Sequence, residues 1–243
     1  MRKTYKIADH VFDIDSVNEG IHKMCADYLS DEKPSFEIIT VQADIDFERA
    51  KSDSERIKEG GEPINFSDSY LETLAVYRKL ADILVEDNII LFHGSVIAVD
   101  GEAFLFTAKS GTGKSTHTAL WRKKFGERAF MVNDDKPLIR ITEDKAIVYG
   151  TPWDGKHHLS KNTSVELKAV CILERSENNV INKITRSDAY TMLVQQTHKT
   201  KNRQKLIRTL QLIDALAANT GLYRLGCNMD MEAAEVAYNA MKG

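Results

Sequence analysis

The chain has 243 residues, of which 42% are hydrophobic and 28% are charged, a composition typical of a globular protein with a sizeable core. Its net charge of −3 argues against a nucleic-acid partner, and no apolar run approaches the roughly 20 residues of a transmembrane helix. Three cysteines without a CxxC pair argue against a disulfide framework or a structural zinc site, so we expect a cytoplasmic protein. Because the apolar runs are short, we expect no membrane partner.

The first 65 residues predict a small β-rich subdomain. Residues 4–7 and 11–14 alternate between apolar and polar side chains, and residues 36–41 form a third apolar, β-rich run. Residues 46–65 are highly charged and end in the sequence GGEP, which predicts a loop or an exposed edge. We therefore predict two domains, residues 1–65 and residues 66–243.

The second domain alternates helices and strands. A helix begins near Ser67 or Asp68, and two strands at about 89–99 and 103–107 are joined by an Asp100-Gly101 turn. The later predicted strands are 130–132, 138–141, 146–149, 167–173 and 222–225, and the helices are about 114–125, 187–197, 203–219 and 231–241. This order predicts an α/β fold with a mixed sheet and flanking helices.

The segment with the clearest chemical meaning is AKSGTGKST, at residues 108–116. It departs from the GxxxxGK[ST] phosphate-loop pattern only in its first residue, Ala108. Glycines let backbone N–H groups turn towards a phosphate, and the following helix presents its positive end to the anion. Lys114 is expected to reach the β- and γ-phosphates and Ser115 to bind Mg²⁺. The predicted nucleotide-binding residues are Ser110, Gly111, Thr112, Gly113, Lys114, Ser115 and Thr116.

A pair of acids follows the apolar strand at 130–132. Asp134 and Asp135 stand where phosphate-loop enzymes carry an acid beside the metal ion. Two adjacent carboxylates permit two tasks, since one can hold Mg²⁺ while the other accepts a proton from an acceptor hydroxyl. An acidic turn after a strand is also common without any catalytic role.

Together these motifs resemble the catalytic domain of the HPr kinase/phosphorylase family, to which phosphoenolpyruvate carboxykinases are more distantly related. The resemblance rests on His93-Gly94-Ser95, the loop at 110–116 and Asp134-Asp135, and it extends to the blocks at 149–156 and 167–175. It covers roughly residues 88–230. Residues 1–87 do not resemble the N-terminal domain of the HPr enzyme.

The resemblance implies an ATP- and Mg²⁺-dependent kinase that phosphorylates a hydroxyl, with a serine of a protein or peptide as the favoured acceptor. By position, His93 is the family's active-site histidine, Lys114 binds phosphate, and Ser115 and Asp135 bind the metal. Asp134 is the favoured general base, although the two aspartates can exchange roles. The resemblance also makes a homo-oligomer reasonable.

Other interpretations remain open at this stage. The acceptor can be a small-molecule alcohol, the donor can be GTP or pyrophosphate, and the chain can be a nucleotide-binding regulatory module or an NTPase that transfers no phosphoryl group. No segment for phosphorolysis and no oxaloacetate site is found, which argues against phosphorylase and carboxykinase activities. Two weaker signals are a polar loop at 150–163 that contains Lys156 and a basic run at 198–205.

Overall fold

The computed structural model describes residues 1–58 and 60–243, and these form two compact units, Met1–Ile83 and Leu84–Gly243. The division falls later than the predicted boundary between residues 65 and 66. Helix α3 (Asp68–Leu84) supplies Glu72, whose buried carboxylate accepts hydrogen bonds from the backbone of Val17 and from Thr40 at 2.7 and 2.5 Å. Because these contacts tie α3 to the N-terminal strands and loops, the helix belongs to the first unit except for its last residue, Leu84.

The first unit contains a three-stranded sheet, as the sequence predicts. Its strands are β1 (Arg2–Ile7), β2 (His10–Asp15) and β3 (Phe36–Ile39), in the order β1-β2-β3. β1 and β2 are antiparallel, and β3 pairs with β2 in parallel. A short helix α1 (Gly20–Met24) follows β2.

The prediction of a loop at 46–65 is wrong for its first part, because helix α2 spans Gln42–Lys58. The pattern does not predict this helix, because nine of its 17 residues are charged and it carries no wide apolar stripe. It is held instead by ion pairs from α3: Arg78 Nε lies 2.5 Å from the buried Glu48 carboxylate, and Lys79 Nζ lies 2.7 Å from Asp44. Tertiary contacts therefore stabilise a helix that the apolar pattern does not reveal.

The described residues of the second unit alternate strands with helices, as predicted. The strands are β4 (Ile89–Leu91), β5 (Ser95–Val99), β6 (Glu102–Thr107), β7 (Ala129–Asn133), β8 (Leu138–Ile141), β9 (Ala146–Tyr149), β10 (Ser164–Arg175), β11 (Val180–Lys183) and β12 (Gly221–Cys227). The helices are α4 (Lys114–Phe125), α5 (Arg186–Gln196), α6 (Arg203–Asn219) and α7 (Glu232–Met241). The predicted single strand at 89–99 is two strands, because the chain leaves β4 at Phe92 and starts β5 at Ser95.

One mixed sheet joins these strands in the order β4-β8-β9-β10-β6-β5-β7, with β12 also paired to β10 and β11 to β12. β6 and β10 are parallel, β10 and β12 are parallel, and β5 runs antiparallel to both β6 and β7. The predicted mixed α/β fold is thereby confirmed. It places the carboxyl ends of β6 and β10 at the same edge of the sheet.

Two hydrophobic clusters cover the two faces of this sheet. One packs β-strand residues such as Val96 and Leu105 against Leu193 and Leu212 of α5 and α6. The other packs Phe104 and Phe106 against α4 and α7. Because both faces are covered, all five residues of β5 are buried, and this continuous apolar strand is typical of a sheet with helices on both sides. Among the helices of residues 1–58 and 60–243, none combines the length and apolar character that crossing a membrane requires.

Candidate functional site

The AKSGTGKST segment is a loop between β6 and α4, as predicted. Gly111 and Gly113 adopt φ angles of 75° and 123°, which side chains disfavour, so these two positions require glycine. Between them, Thr112 donates from its backbone N–H and its hydroxyl to the carbonyl of Lys109, at 3.2 and 2.8 Å. The loop ends where α4 begins at Lys114, so the positive end of the helix lies beside the glycines.

Arg175, the last residue of β10, braces this loop. Its guanidinium donates to the carbonyl of Gly111 at 2.5 Å and to the carbonyl of Thr112 at 3.3 Å. A cation thus stands beside the loop, and it was missed as a functional residue because it lies 63 positions from Thr112 in sequence. Only the parallel pairing of β6 with β10 brings the two segments together.

Asp134 follows β7 and is buried, with 5% of its surface exposed. Its Oδ1 accepts a 2.7 Å hydrogen bond from the hydroxyl of Ser95, which is itself fully buried. Its Oδ2 faces Gly155, where a Cβ atom would stand only 2.7 Å away. The carboxylate is therefore held on one side by Ser95 and is approached so closely on the other that only glycine fits at position 155.

Asp135 has a more open and more cationic environment than Asp134. His93 Nε2 lies 3.2 Å from its Oδ1, and Lys136 Nζ lies 2.9 Å from the same oxygen. Burial on its own raises the pKa of Asp135, but the hydrogen bond from His93 and the charge of Lys136 outweigh it and hold the pKa below the usual range. Asp135 is thus kept ionised.

A buried asparagine sets the turn that carries both aspartates. Asn133 Oδ1 accepts hydrogen bonds from the backbone N–H groups of Asp135 and Lys136, at 2.9 and 2.7 Å. Its Nδ2 donates to the hydroxyl of Thr151 at 3.0 Å, and that hydroxyl donates to the carbonyl of Lys136 at 2.7 Å. The turn is therefore fixed by side chains on two segments rather than by its own backbone alone.

The structure brings Lys114, Asp134, Asp135 and His93 into one neighbourhood. Burial lowers the pKa of Lys114, the charge of Lys136 lowers it further, and the carboxylates of Asp135 and Asp134 oppose the fall. Ser115 and Thr116 are exposed at the start of α4, as are Ser110 and Gly111 in the loop. Sequence reasoning named Ser95 without giving it a role, and it missed Lys136, which is adjacent to Asp135.

The oxygen atoms near the loop fit the requirements of Mg²⁺. This ion binds through one or two carboxylates and keeps phosphate oxygens and waters as its other ligands. Asp135 and Ser115 offer a carboxylate and a hydroxyl of this kind. Across residues 1–58 and 60–243, no group of three or more His, Cys, Asp and Glu side chains is placed to hold a metal ion.

A cleft with a volume of about 520 Å³ opens beside the phosphate loop. The loop and α4 form one wall, and the ends of β10 and β12 form the other, with lining residues Gly111, Thr112, Gly113, Thr116, His117, Leu173, Arg175, Ser176, Cys227, Asn228 and Met229. The imidazole of His117 is buried, and burial lowers its pKa to about 4.

The two weaker sequence signals have different environments. In the loop at 150–163, Trp153 is buried and Asp154 Oδ1 lies 3.0 Å from His158 Nδ1, while Lys156 and His157 are exposed. The basic run at 198–205 leads into α6, where Asn202 caps the helix by accepting from Gln204 and Lys205. Its residue Lys205 pairs with Glu86 at 2.8 Å, which is typical of a solvated helix face.

Comparison with known proteins identifies the family. The model of SynChlorMet cassette protein ScmC matches residues 65–231, which is more than half of the chain. The chain belongs to the ScmC family. The ScmC match spans the phosphate loop, both aspartates and the cleft.

Other comparisons are weaker. No curated protein matches the sequence. A solved structure of the Hpr(Ser) kinase/phosphatase from Coxiella burnetii matches at 12% identity with a TM-score of 0.36, covering 63% of this chain and 99% of that chain. This enzyme belongs to the family that the sequence motifs resemble. A TM-score of 0.36 is too low, however, to support a conclusion about the function of the present chain.

Proposed function

We propose that this protein is an ATP- and Mg²⁺-dependent kinase that transfers the γ-phosphoryl group to a hydroxyl, with a serine of a protein or peptide as the favoured acceptor. One observation carries the proposal. The charge of Lys114, at the start of α4, interacts with the carboxylates of Asp134 and Asp135, which follow β7. Phosphoryl transfer needs positioning and charge neutralisation more than covalent help, and this arrangement supplies both.

In this reaction each group has one task. The backbone N–H groups of the loop and the ammonium of Lys114 hold the phosphates, and Arg175 keeps the loop in shape. Asp134 accepts the proton of the acceptor hydroxyl, and the hydrogen bond from Ser95 fixes its Oδ1 for this task. His93 and Lys136 hold Asp135 ionised for the metal.

Asp135 and Ser115 are the residues that would hold Mg²⁺. The ion, when bound, neutralises negative charge on the phosphates. The lowered pKa of Asp135 suits a metal ligand better than a base, because a weakly basic carboxylate stays ionised but takes up a proton poorly. The assignment of Asp135 as the metal ligand follows from its lowered pKa, and it leaves Asp134 as the base.

The first experiment replaces the phosphate-binding lysine. We expect Lys114→Ala to abolish ATP-dependent phosphorylation, because the phosphates lose their principal cation, while circular dichroism shows an unchanged fold. Lys123→Ala is the matched control, since Lys123 is an exposed lysine of the same helix, and it should leave the rate unchanged. Full activity of Lys114→Ala would contradict the proposal.

The acceptor and the rival functions need a separate assay. Labelled ATP incubated with cell lysate and then with a metabolite pool separates a protein acceptor from a small-molecule alcohol. Asp134→Asn should remove phosphoryl transfer and leave nucleotide binding in place. A nucleotide-binding regulatory module would instead show no transfer in the unmodified protein, and an NTPase would release phosphate without any acceptor.

A further inference from the structure

A group of cations in the second unit has no acid near it in sequence. Residues 189–213 contain five Lys or Arg and no Asp or Glu, whereas acids outnumber Lys and Arg in the whole chain by 36 to 33. Two of these five cations are engaged within the protein, since Lys205 pairs with Glu86 and Arg208 donates to Asn88. The other three cations are exposed, and they are Lys199, Lys201 and Arg203.

Two of the exposed cations make no ion pair. Neither Lys199 nor Arg203 contacts a carboxylate of residues 1–58 or 60–243. The nearest acids along the chain are Asp188 and Asp214, each 11 residues away from one of these cations. Protein surfaces usually intersperse charges of both signs, and a surface of one sign attracts a partner of the opposite sign. Lys199 and Arg203 are therefore available to an anionic partner.

Backbone hydrogen bonds place the start of this basic run beside His93. The backbone N–H of His93 donates to the carbonyl of Gln196 at 2.7 Å, and the backbone N–H of His198 donates to the carbonyl of Leu91 at 2.9 Å. These two bonds make the chain at 196–198 run antiparallel to the chain that leads from β4 into His93. The basic run thus leaves the sheet at the point where His93 stands.

The same point adjoins the aspartate pair. The imidazole of His93 lies 3.2 Å from Asp135, and the backbone N–H of Gly94 donates to the carbonyl of Asp135 at 3.0 Å. Since Lys199 follows Gln196 by three residues and Arg203 by seven, their Cα atoms lie within about 11 Å and about 25 Å of Gln196. An extended peptide with its serine at the aspartates can reach both cations with residues a few positions away.

The chemistry of the segment favours carboxylates over a nucleic acid. Surfaces that bind single-stranded nucleic acids combine cations with aromatic side chains on which bases stack, and residues 198–208 contain no Phe, Tyr or Trp. The net charge of −3 also repels a long polyanion. Arg203 is the first residue of α6, whose N-terminus is capped by Asn202, so the positive end of the helix adds to the local charge.

We propose that Lys199 and Arg203 bind carboxylates that flank the acceptor serine, so that the preferred acceptor is an acidic segment of a protein or peptide. The proposal rests on the function proposed above, because that function places the serine at Asp134 and Asp135. It adds the chemical character of the acceptor, which the phosphate loop and the aspartates leave open. Because the recognition is electrostatic and exposed, it weakens as the ionic strength rises.

The test uses three peptides of about 15 residues, a length that reaches both cations from one central serine. The serine is flanked by glutamates in the first peptide, by glutamines in the second and by lysines in the third. Each peptide carries a fluorophore, so that anisotropy measures its binding, and labelled ATP with Mg²⁺ measures phosphoryl transfer to it. The unmodified full chain is assayed first.

We expect the unmodified protein to bind the glutamate peptide about tenfold more tightly than the glutamine peptide, and the lysine peptide most weakly. The preference should shrink when the salt concentration is raised from about 0.05 M to about 0.5 M. The KM for the glutamate peptide should be lower than that for the glutamine peptide, while kcat is similar. Equal binding of the glutamate and glutamine peptides would overturn the proposal.

Charge reversal tests the two cations directly. Lys199→Glu combined with Arg203→Glu should remove the preference for the glutamate peptide and leave ATP affinity unchanged, which also shows that the phosphate loop is folded. Lys123→Glu combined with Lys183→Glu is the matched control, because both lysines are exposed and the net charge changes equally. An unchanged preference in the first double variant, or the same loss in the control, would contradict the assignment.

The outcomes separate this proposal from the kinase function. If the glutamate peptide is preferred but receives no phosphoryl group, the acidic docking surface stands and the kinase function is wrong. If all three peptides are phosphorylated equally well, the kinase function stands and the docking surface is wrong. An oligouridylate that binds more tightly than the glutamate peptide, and that loses its affinity in the first double variant, would make this a nucleic-acid surface and overturn the proposal.

Discussion

At the scale of single residues, two adjacent carboxylates are given different environments. Asp134 is almost completely buried and bonded to a neutral hydroxyl, whereas Asp135 is half-buried between an imidazole and an ammonium group. In the sequence the two aspartates are adjacent, and either of them can be the base or the metal ligand. Their neighbours Ser95 and His93 lie about 40 residues earlier, and the pairing of β5 with β7 brings them to the two acids.

The glycine beside Asp134 provides a prediction at this scale. In Gly155→Ala the new Cβ atom would stand 2.7 Å from Asp134 Oδ2, and the carboxylate cannot turn away without losing its bond to Ser95. We expect kcat to fall by about tenfold to a hundredfold, because the proton acceptor is displaced. The free energy of unfolding should fall by about 1–3 kcal/mol, as for other overpacked sites.

Steady-state kinetics and urea denaturation measure these two effects. Gly61→Ala is the control, because its Cβ would meet the flexible end of Arg56 at 3.3 Å in the other unit of the chain. If Gly155→Ala retains the unmodified kcat, Asp134 is not the proton acceptor.

At the scale of elements, short sequence patterns predict local structure well where the pattern itself imposes the geometry. The Asp100-Gly101 pair predicts the β5–β6 hairpin, and both residues adopt the positive φ values, 52° and 88°, that such a turn requires. The charged helix α2 shows the opposite case. Its helical state depends on partners in α3 that no local pattern identifies.

The same turn provides a prediction on acid stability. A hydrogen bond from Arg128, followed by one from Tyr238 at 2.9 Å, lowers the pKa of Asp100 to about 2. The folded protein therefore binds fewer protons at Asp100 than the unfolded chain between about pH 4 and pH 2. The stabilisation is present in full above this window and is lost as the pH falls through it.

Asp100→Asn should remove this pH dependence and keep the turn, because asparagine tolerates a positive φ. We expect the unmodified protein to melt at a higher temperature than the variant at pH 6, and the difference to shrink as the pH falls from about 4 to 2. Asp144→Asn, in the exposed β8–β9 turn, is the control. A difference in melting temperature that is the same at pH 6 and pH 3 would contradict the assignment.

At the scale of the whole molecule, the chain consists of two units with separate cores. Both large hydrophobic clusters of the second unit draw all their members from Val85 to Met241. The first unit has its own buried residues, including Tyr5, Phe12, Ile38 and Leu71. The ScmC match begins at residue 65 and therefore includes α3, which belongs to the first unit.

Because its core is self-contained, we expect a fragment of residues 84–243 to fold by itself. It should melt in one cooperative transition and keep the near-ultraviolet circular dichroism of packed aromatic side chains. Addition of Mg²⁺ and ATP at about a hundred times the Kd should stabilise it by about 2.7 kcal/mol. A fragment that lacks a cooperative melt would show that the second unit depends on residues 1–83.

The sequence by itself determines the mixed α/β fold and the strand–loop–helix that carries Lys114. These features follow from short patterns, because a left-handed turn needs glycine and a buried strand needs a continuous apolar run. Only the tertiary structure decides the bracing of the loop by Arg175, the separate environments of Asp134 and Asp135, and the cleft beneath His117. Each depends on segments 20 to 120 residues apart, and side-chain contacts over such distances are set by strand order rather than by local sequence.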